Sequence, residues 1–153
     1  MYSAGRWTLY SKAMPPVKRH VRSSALGVLI LLGFAVADAR AEEIVVIVNL
    51  AAAPMSKEQV ADLYLGRSDD CIPIDQPVGS GIYVEFYKKV TGRDSAQVKA
   101  IWSRLLFTDR GVAPKQLPNS AAVKKAVAAN PKAVGYIEKS AADASIKVVL
   151  SVN

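Results

Sequence analysis

The sequence predicts an α/β domain with a mixed, mostly parallel sheet flanked by helices, over residues 42–153 of a 153-residue chain. Short apolar, β-branched runs alternate with amphipathic helix patterns, and most of these helix patterns have recognisable start and stop residues. An apolar leader precedes them. The 112 residues after the leader are enough for one hydrophobic core and too few for two domains of ordinary size.

Residues 1–41 have the features of a secretory signal peptide. Basic residues precede an uncharged apolar run at 25–37, and Ala39-Arg40-Ala41 forms a small-x-small cleavage site. We therefore expect cleavage before Glu42 and a periplasmic location. An uncleaved anchor is the alternative, but the run of 13 residues is shorter than the roughly 20 that a membrane helix needs. Translation from Met14 would keep the apolar run intact.

Composition after the leader excludes several functional classes. The leader holds 6 of the Lys and Arg residues and 1 Asp, which leaves 14 basic and 12 acidic residues and a net charge of +2. This small excess does not indicate a nucleic-acid partner. The sole histidine, His20, lies in the leader, so no histidine-based catalytic pair is expected in the domain. Cys71 is the sole cysteine and cannot form an intramolecular disulfide. We expect neither a cofactor nor a metal site.

The first half of the domain begins with a strand. The run Ile44–Val48 is continuously apolar, which is typical of a central strand covered on both faces. A helix should begin after Ser56, the expected N-cap with Gln59 completing a capping box, and end before Gly66. A short strand at 72–74 contains a proline, which favours a position near the sheet edge.

Three more helices and two strands complete the prediction. One helix should follow Ser80 and end at Gly92, and a third should begin at Asp94 or Ser95. Residues 109–118 are expected to be a loop, with a fourth helix from Asn119 or Ser120 to Asn130 and strands at 133–137 and 146–152. The residues expected to bury the third helix are Val98, Ile101, Trp102, Leu105 and Leu106.

The tripeptide Gly79-Ser80-Gly81 is the main candidate binding element. It follows the 72–74 strand and opens a helix, where first-turn N–H groups lack intrahelical acceptors and can bind a small oxyanion. A plain N-cap is the alternative interpretation of Ser80. Asp75 and Gln76 are the next candidates, although Asp75 could cap a turn and Gln76 could be solvated.

An ordered set of motifs resembles the phosphate-binding proteins of ABC transporters. The set comprises the helix ending Leu65-Gly66, the segment Ile74-Asp-Gln-Pro-Val-Gly-Ser-Gly81, and Asn130-Pro-Lys-Ala-Val-Gly-Tyr-Ile137. The resemblance implies one lobe of a type 2 periplasmic-binding fold, a phosphate ligand and a transporter membrane component as partner. Of the family's binding residues around this turn, only Ser80 and its flanking glycines match, because Gln76-Pro77 and Ile82 stand where the family usually has Arg, Asp and Thr.

Other functions are also compatible with the sequence. A single lobe should bind phosphate weakly unless a second copy of the chain or another protein completes the site. A ligand-free interaction module that docks on an envelope partner is the main alternative. An enzyme is disfavoured, since the sequence contains neither a nucleophile-elbow nor a P-loop pattern. Asp69, Asp70 and Asp75 lack the spacing of a calcium loop.

Overall fold

The computed structural model describes residues 42–153. The predicted signal peptide, residues 1–41, lies outside this range. Within it, no helix has the length and apolar character needed to cross a membrane. The elements in chain order are β1 (Ile44–Val48), α1 (Lys57–Tyr64), β2 (Ile72–Asp75), α2 (Gly81–Thr91), α3 (Ser95–Phe107), β3 (Lys115–Gln116), α4 (Ser120–Ala129), β4 (Ala133–Glu138) and β5 (Lys147–Val152), with a 3-10 turn at Lys139–Ala141.

The five strands form one sheet in the order β3-β2-β4-β1-β5. β2 pairs in parallel with β3 and β4, whereas β1 is antiparallel to both β4 and β5. Four strands therefore run in one direction and β1 runs in the other, which confirms the prediction of a mixed, mostly parallel sheet.

β1 is buried on both faces of the sheet, as its continuous apolar run predicts. Alternate side chains enter different cores because successive residues of a strand point to opposite faces. Ile44, Val46 and Val48 belong to the core on one face, and Val45 and Ile47 to the core on the other. Helices α1, α2 and α3 supply residues to the first core, and α4 supplies residues to the second.

Aromatic side chains fill the first core. Phe86 from α2 stacks on Tyr136 from β4, with ring centroids 3.8 Å apart and an interplanar angle of 5°. Tyr64 from α1 meets Phe86 edge-on at 4.8 Å, and its hydroxyl donates a 2.8 Å hydrogen bond to the Ile74 carbonyl. These contacts fix α1 and α2 on the face of the sheet beside the end of β2.

The helix boundaries follow the predicted signals. Ser56 and Asp94 each form a capping box, with Gln59 and Gln97 respectively. Ser80 caps α2 and Asn119 caps α4 through side-chain oxygens. Gly66 and Gly92 follow their helices with φ of 68° each, in the left-handed region that glycine adopts at low cost.

The structure corrects two expectations. The predicted loop at 109–118 contains β3, whose two exposed residues carry no apolar pattern and are held by pairing of Lys115 with Ile74. In α3 only Val98 and Trp102 are buried, and Leu106 is 51% exposed instead of lying in the core. In the last turn of α3, Phe107 is also exposed, whereas Leu105 packs partly against the first core.

Candidate anion-binding site

The candidate site lies between β2 and α2, just beyond the carboxyl end of β2. The Ser80 N–H donates to the Pro77 carbonyl at 3.0 Å, and the Ser80 Oγ accepts from the Tyr83 N–H at 3.4 Å. Gly79 turns the chain with a φ of 85°. The N–H groups of Gly81 and Ile82 belong to the first turn of α2, which has no intrahelical acceptors for them.

The surface of this turn is accessible to a small solute. Gly79 and Gly81 are exposed and Ser80 is half-buried. First-turn N–H groups beside a hydroxyl are donors of the kind that bind small oxyanions, and the helix dipole favours negative charge at the same place. Segment 76–82 contains no Lys or Arg, so no cationic side chain within it adds to the attraction of an anion.

The side chain of Asp75 lies in the interior beneath the turn. Its carboxylate accepts hydrogen bonds from the hydroxyls of Tyr136 and, at 2.8 Å, Tyr87, and from the Gln76 N–H at 3.0 Å. Burial raises the pKa of Asp75, and the three hydrogen bonds offset only part of this effect. Burial and the charge of Asp75 in turn raise the pKa of both tyrosines. These tyrosines remain protonated donors.

Gln76 is also directed inward and is only 3% exposed. Its side-chain amide donates to the Ser120 Oγ at 2.8 Å and to the Tyr136 carbonyl at 3.1 Å. The Ser120 hydroxyl, at the start of α4, in turn donates to the Glu138 carboxylate at the end of β4. Gln76 thus joins β2, α4 and β4 at the edge of the sheet where the candidate site lies.

The five predicted residues fall into two groups. Gly79, Ser80 and Gly81 come together at the surface, whereas the side chains of Asp75 and Gln76 are hydrogen-bonded in the interior. Sequence patterns did not predict the polar partners of this region, which are Tyr87, Tyr136, Ser120 and Glu138. A buried Asp after an apolar strand requires hydrogen-bond donors. The sequence therefore indicates that such donors exist, but residue spacing does not identify which residues supply them.

The acidic residues do not form a metal centre. Asp69 and Asp70 precede β2, whereas Asp75 ends it, and Asp70 accepts instead from the Ser68 hydroxyl at 2.9 Å. Over residues 42–153, no group of three His, Cys, Asp or Glu side chains is placed to hold a metal ion.

Neither a protein-family model nor a curated protein matches this sequence. Solved structures are similar in fold. An ABC-type phosphate transport receptor from Vibrio cholerae superposes with a TM-score of 0.53 at 18% identity, over 71% of this chain and 45% of that chain. A putative phosphate ABC transporter substrate-binding protein from Clostridium perfringens, solved with bound phosphate, gives 0.54 at 20% identity, over 71% and 44%. The chain spans less than half the length of either protein, and what it shares with them is the fold of a single periplasmic-binding lobe.

Proposed function

We propose that this chain is a periplasmic solute-binding-like protein that holds phosphate or a related oxyanion at the start of α2, in association with ABC-type phosphate transport. The observation that carries the proposal is the Gly79-Ser80-Gly81 turn beyond the carboxyl end of β2, where both glycines are exposed and Ser80 caps the first turn of α2. The fold shared with a substrate-binding protein solved with bound phosphate supports it. Export with cleavage before Glu42 is part of the same proposal.

The donor count indicates weak binding by this lobe alone. Three hydrogen bonds to a charged group contribute about 5 to 9 kcal/mol in total, at about 1.5 to 3 kcal/mol each. Association costs about 4 to 15 kcal/mol. The carboxylates of Asp75 and Glu138 at the same edge of the sheet also repel an anion. We therefore expect millimolar affinity, which a second copy of the chain or a transporter component would increase by supplying further donors.

Replacement of Ser80 with Ala tests the site. The variant loses the hydroxyl donor and should bind phosphate more weakly in a calorimetric titration, with sulfate titrated in parallel. It also loses a helix cap, which costs about 1 kcal/mol of stability. Ser56→Ala is the matched control, because Ser56 caps α1 in the same way outside the site. Equal phosphate affinity in all three proteins would remove Ser80 from the proposal.

The second candidate function is an envelope interaction module that keeps the lobe fold without a ligand. It is favoured by the inward side chains of Asp75 and Gln76, which leave the turn with backbone donors and one hydroxyl. Phosphate that binds the native state must raise the melting temperature. Absence of both calorimetric heat and a thermal shift at millimolar phosphate would support the module and contradict phosphate binding.

A further inference from the structure

A cleft of about 610 Å³ lies at the end of β2 opposite the candidate anion site. Residues that begin β2 and β3 form part of its wall, whereas Ser80 follows the other end of β2. The loop before β3, the turn after α1, and single residues of α1 and α3 complete the lining. The lining includes Gly66, Arg67, Trp102, Arg110, Gly111 and Lys115.

Trp102, which is 9% exposed, presents a small, fixed apolar surface to this cleft. Its indole Nε1 donates to the Tyr64 carbonyl at 3.2 Å, which sets the orientation of the ring. The ring packs closely against two glycines: a Cβ on Gly66 would come within 3.0 Å of Trp102 Cη2, and a Cβ on Gly111 within 3.4 Å of Trp102 Cζ3. Leu63 lines the cleft but is only 1% exposed, so the exposed apolar lining comes mainly from Ile72 and Val112, which are 47% and 87% exposed.

The walls of the cleft carry an excess of positive charge. Arg67, Arg110 and Lys115 line it together with one acidic residue, Asp69. Arg67 pairs with Asp62 at 3.1 Å. In the part of the chain that the structure describes, Arg110 and Lys115 take part in no ion pair, so their charges are available to a ligand.

We propose that this cleft binds a small organic anion with an aromatic or other apolar body. The apolar body would pack against Ile72, Val112 and the exposed part of Trp102, and the anionic group would face Arg110 and Lys115. The volume lies within the range of small-molecule sites, which combine a mostly apolar lining with a few convergent polar groups. A bare inorganic oxyanion would leave Ile72 and Val112 in contact with water. The proposal is independent of phosphate binding at Ser80.

Two fluorescent probes of similar shape test the proposal. The first, 8-anilinonaphthalene-1-sulfonate, carries a sulfonate, and the second, N-phenyl-1-naphthylamine, is its neutral counterpart. The full chain with Trp7→Phe keeps Trp102 as its single tryptophan, so energy transfer to either probe reports binding within transfer distance of Trp102, and the cleft variants locate the site. We expect saturable transfer, with a Kd about three- to tenfold lower for the anionic probe, as two surface charges would give.

Charge and shape variants assign the signal to the cleft. Arg110→Gln with Lys115→Gln should abolish the preference for the anionic probe, and Ala113→Phe should weaken both probes by filling the cleft. Lys99→Gln with Lys125→Gln is the matched control, because it removes the same charge at exposed positions outside the cleft. Absence of saturable transfer up to about 1 mM probe, or an equal loss of preference in the control, would overturn the proposal.

Discussion

Asp75 is the residue with the most constrained environment near the candidate site. It is 4% exposed, and its hydrogen-bond donors come from α2, β4 and its own chain neighbour. No cation pairs with it in the described residues, so its charge is compensated by tyrosine hydroxyls and one N–H group. Burial dominates and the pKa of Asp75 rises. The ionised form is therefore less stable in the folded protein than in the unfolded chain.

Asp75→Asn should change the pH dependence of stability. Asp75 keeps its proton to a higher pH in the native state than the unfolded value of about 3.9. Its favourable contribution is therefore complete below that value and is lost as the pH rises through the native-state pKa. Asparagine cannot titrate. The free energy of unfolding of the wild type minus that of the variant should fall with rising pH in denaturant titrations.

The difference in unfolding free energy between wild type and variant reports the titration of Asp75 and not that of other carboxyl groups. A hydrogen bond from Lys139 lowers the pKa of Glu43, and one from Lys124 lowers that of Asp143, so these groups lose stabilisation as the pH falls. Both groups are present in the wild type and in the variant, so their contributions to the difference cancel. Glu43→Gln is the control and should show the opposite slope. A difference for Asp75→Asn that does not vary with pH would contradict a raised pKa in the folded protein.

Among the elements, α4 packs closely on the sheet. It lies over Gly135 in β4, where an added Cβ would overlap Val123 and come within 3.1 Å of Val127 Cγ2. Only glycine allows this helix to sit so near the strand.

Gly135→Ala should therefore force α4 away from the sheet and destabilise the domain by about 1 to 3 kcal/mol, the usual cost of overpacking a core. Gly81→Ala is the control, because a Cβ there meets nothing within 4 Å and alanine restricts the unfolded chain. Thermal or denaturant unfolding measures both. A Gly135→Ala protein as stable as wild type would mean that α4 is not packed on β4 in this way.

Local signals predicted the elements that depend on local chemistry. Ser56, Ser80 and Asn119 cap their helices because a short polar side chain can satisfy a first-turn N–H, and this requirement is visible in sequence. β3 was missed because its pairing with β2 is tertiary and its side chains face solvent. The inward direction of Gln76 was missed for the same reason, since its partner Ser120 is 44 residues away.

For the molecule as a whole, the two cores share strands β1 and β4. Alternate residues of β1 and of β4 enter opposite faces, so neither core can form without both strands. The strands are joined along five residue pairs, from Ile44 with Glu138 to Val48 with Val134. Loss of one core would expose the same strands to water on the other side, which favours a single cooperative transition.

We therefore expect residues 42–153, prepared without the leader, to fold alone and unfold in one step. Trp102 fluorescence reports the first core, where Trp102 lies, and far-UV circular dichroism reports all elements, including α4 over the second core. The two signals should give coincident denaturation curves. Hydrogen exchange in α4 should show the same opening free energy as in β1. An earlier transition in α4 would show that the second core unfolds separately, and failure to fold would show that residues 42–153 need a partner or a further segment.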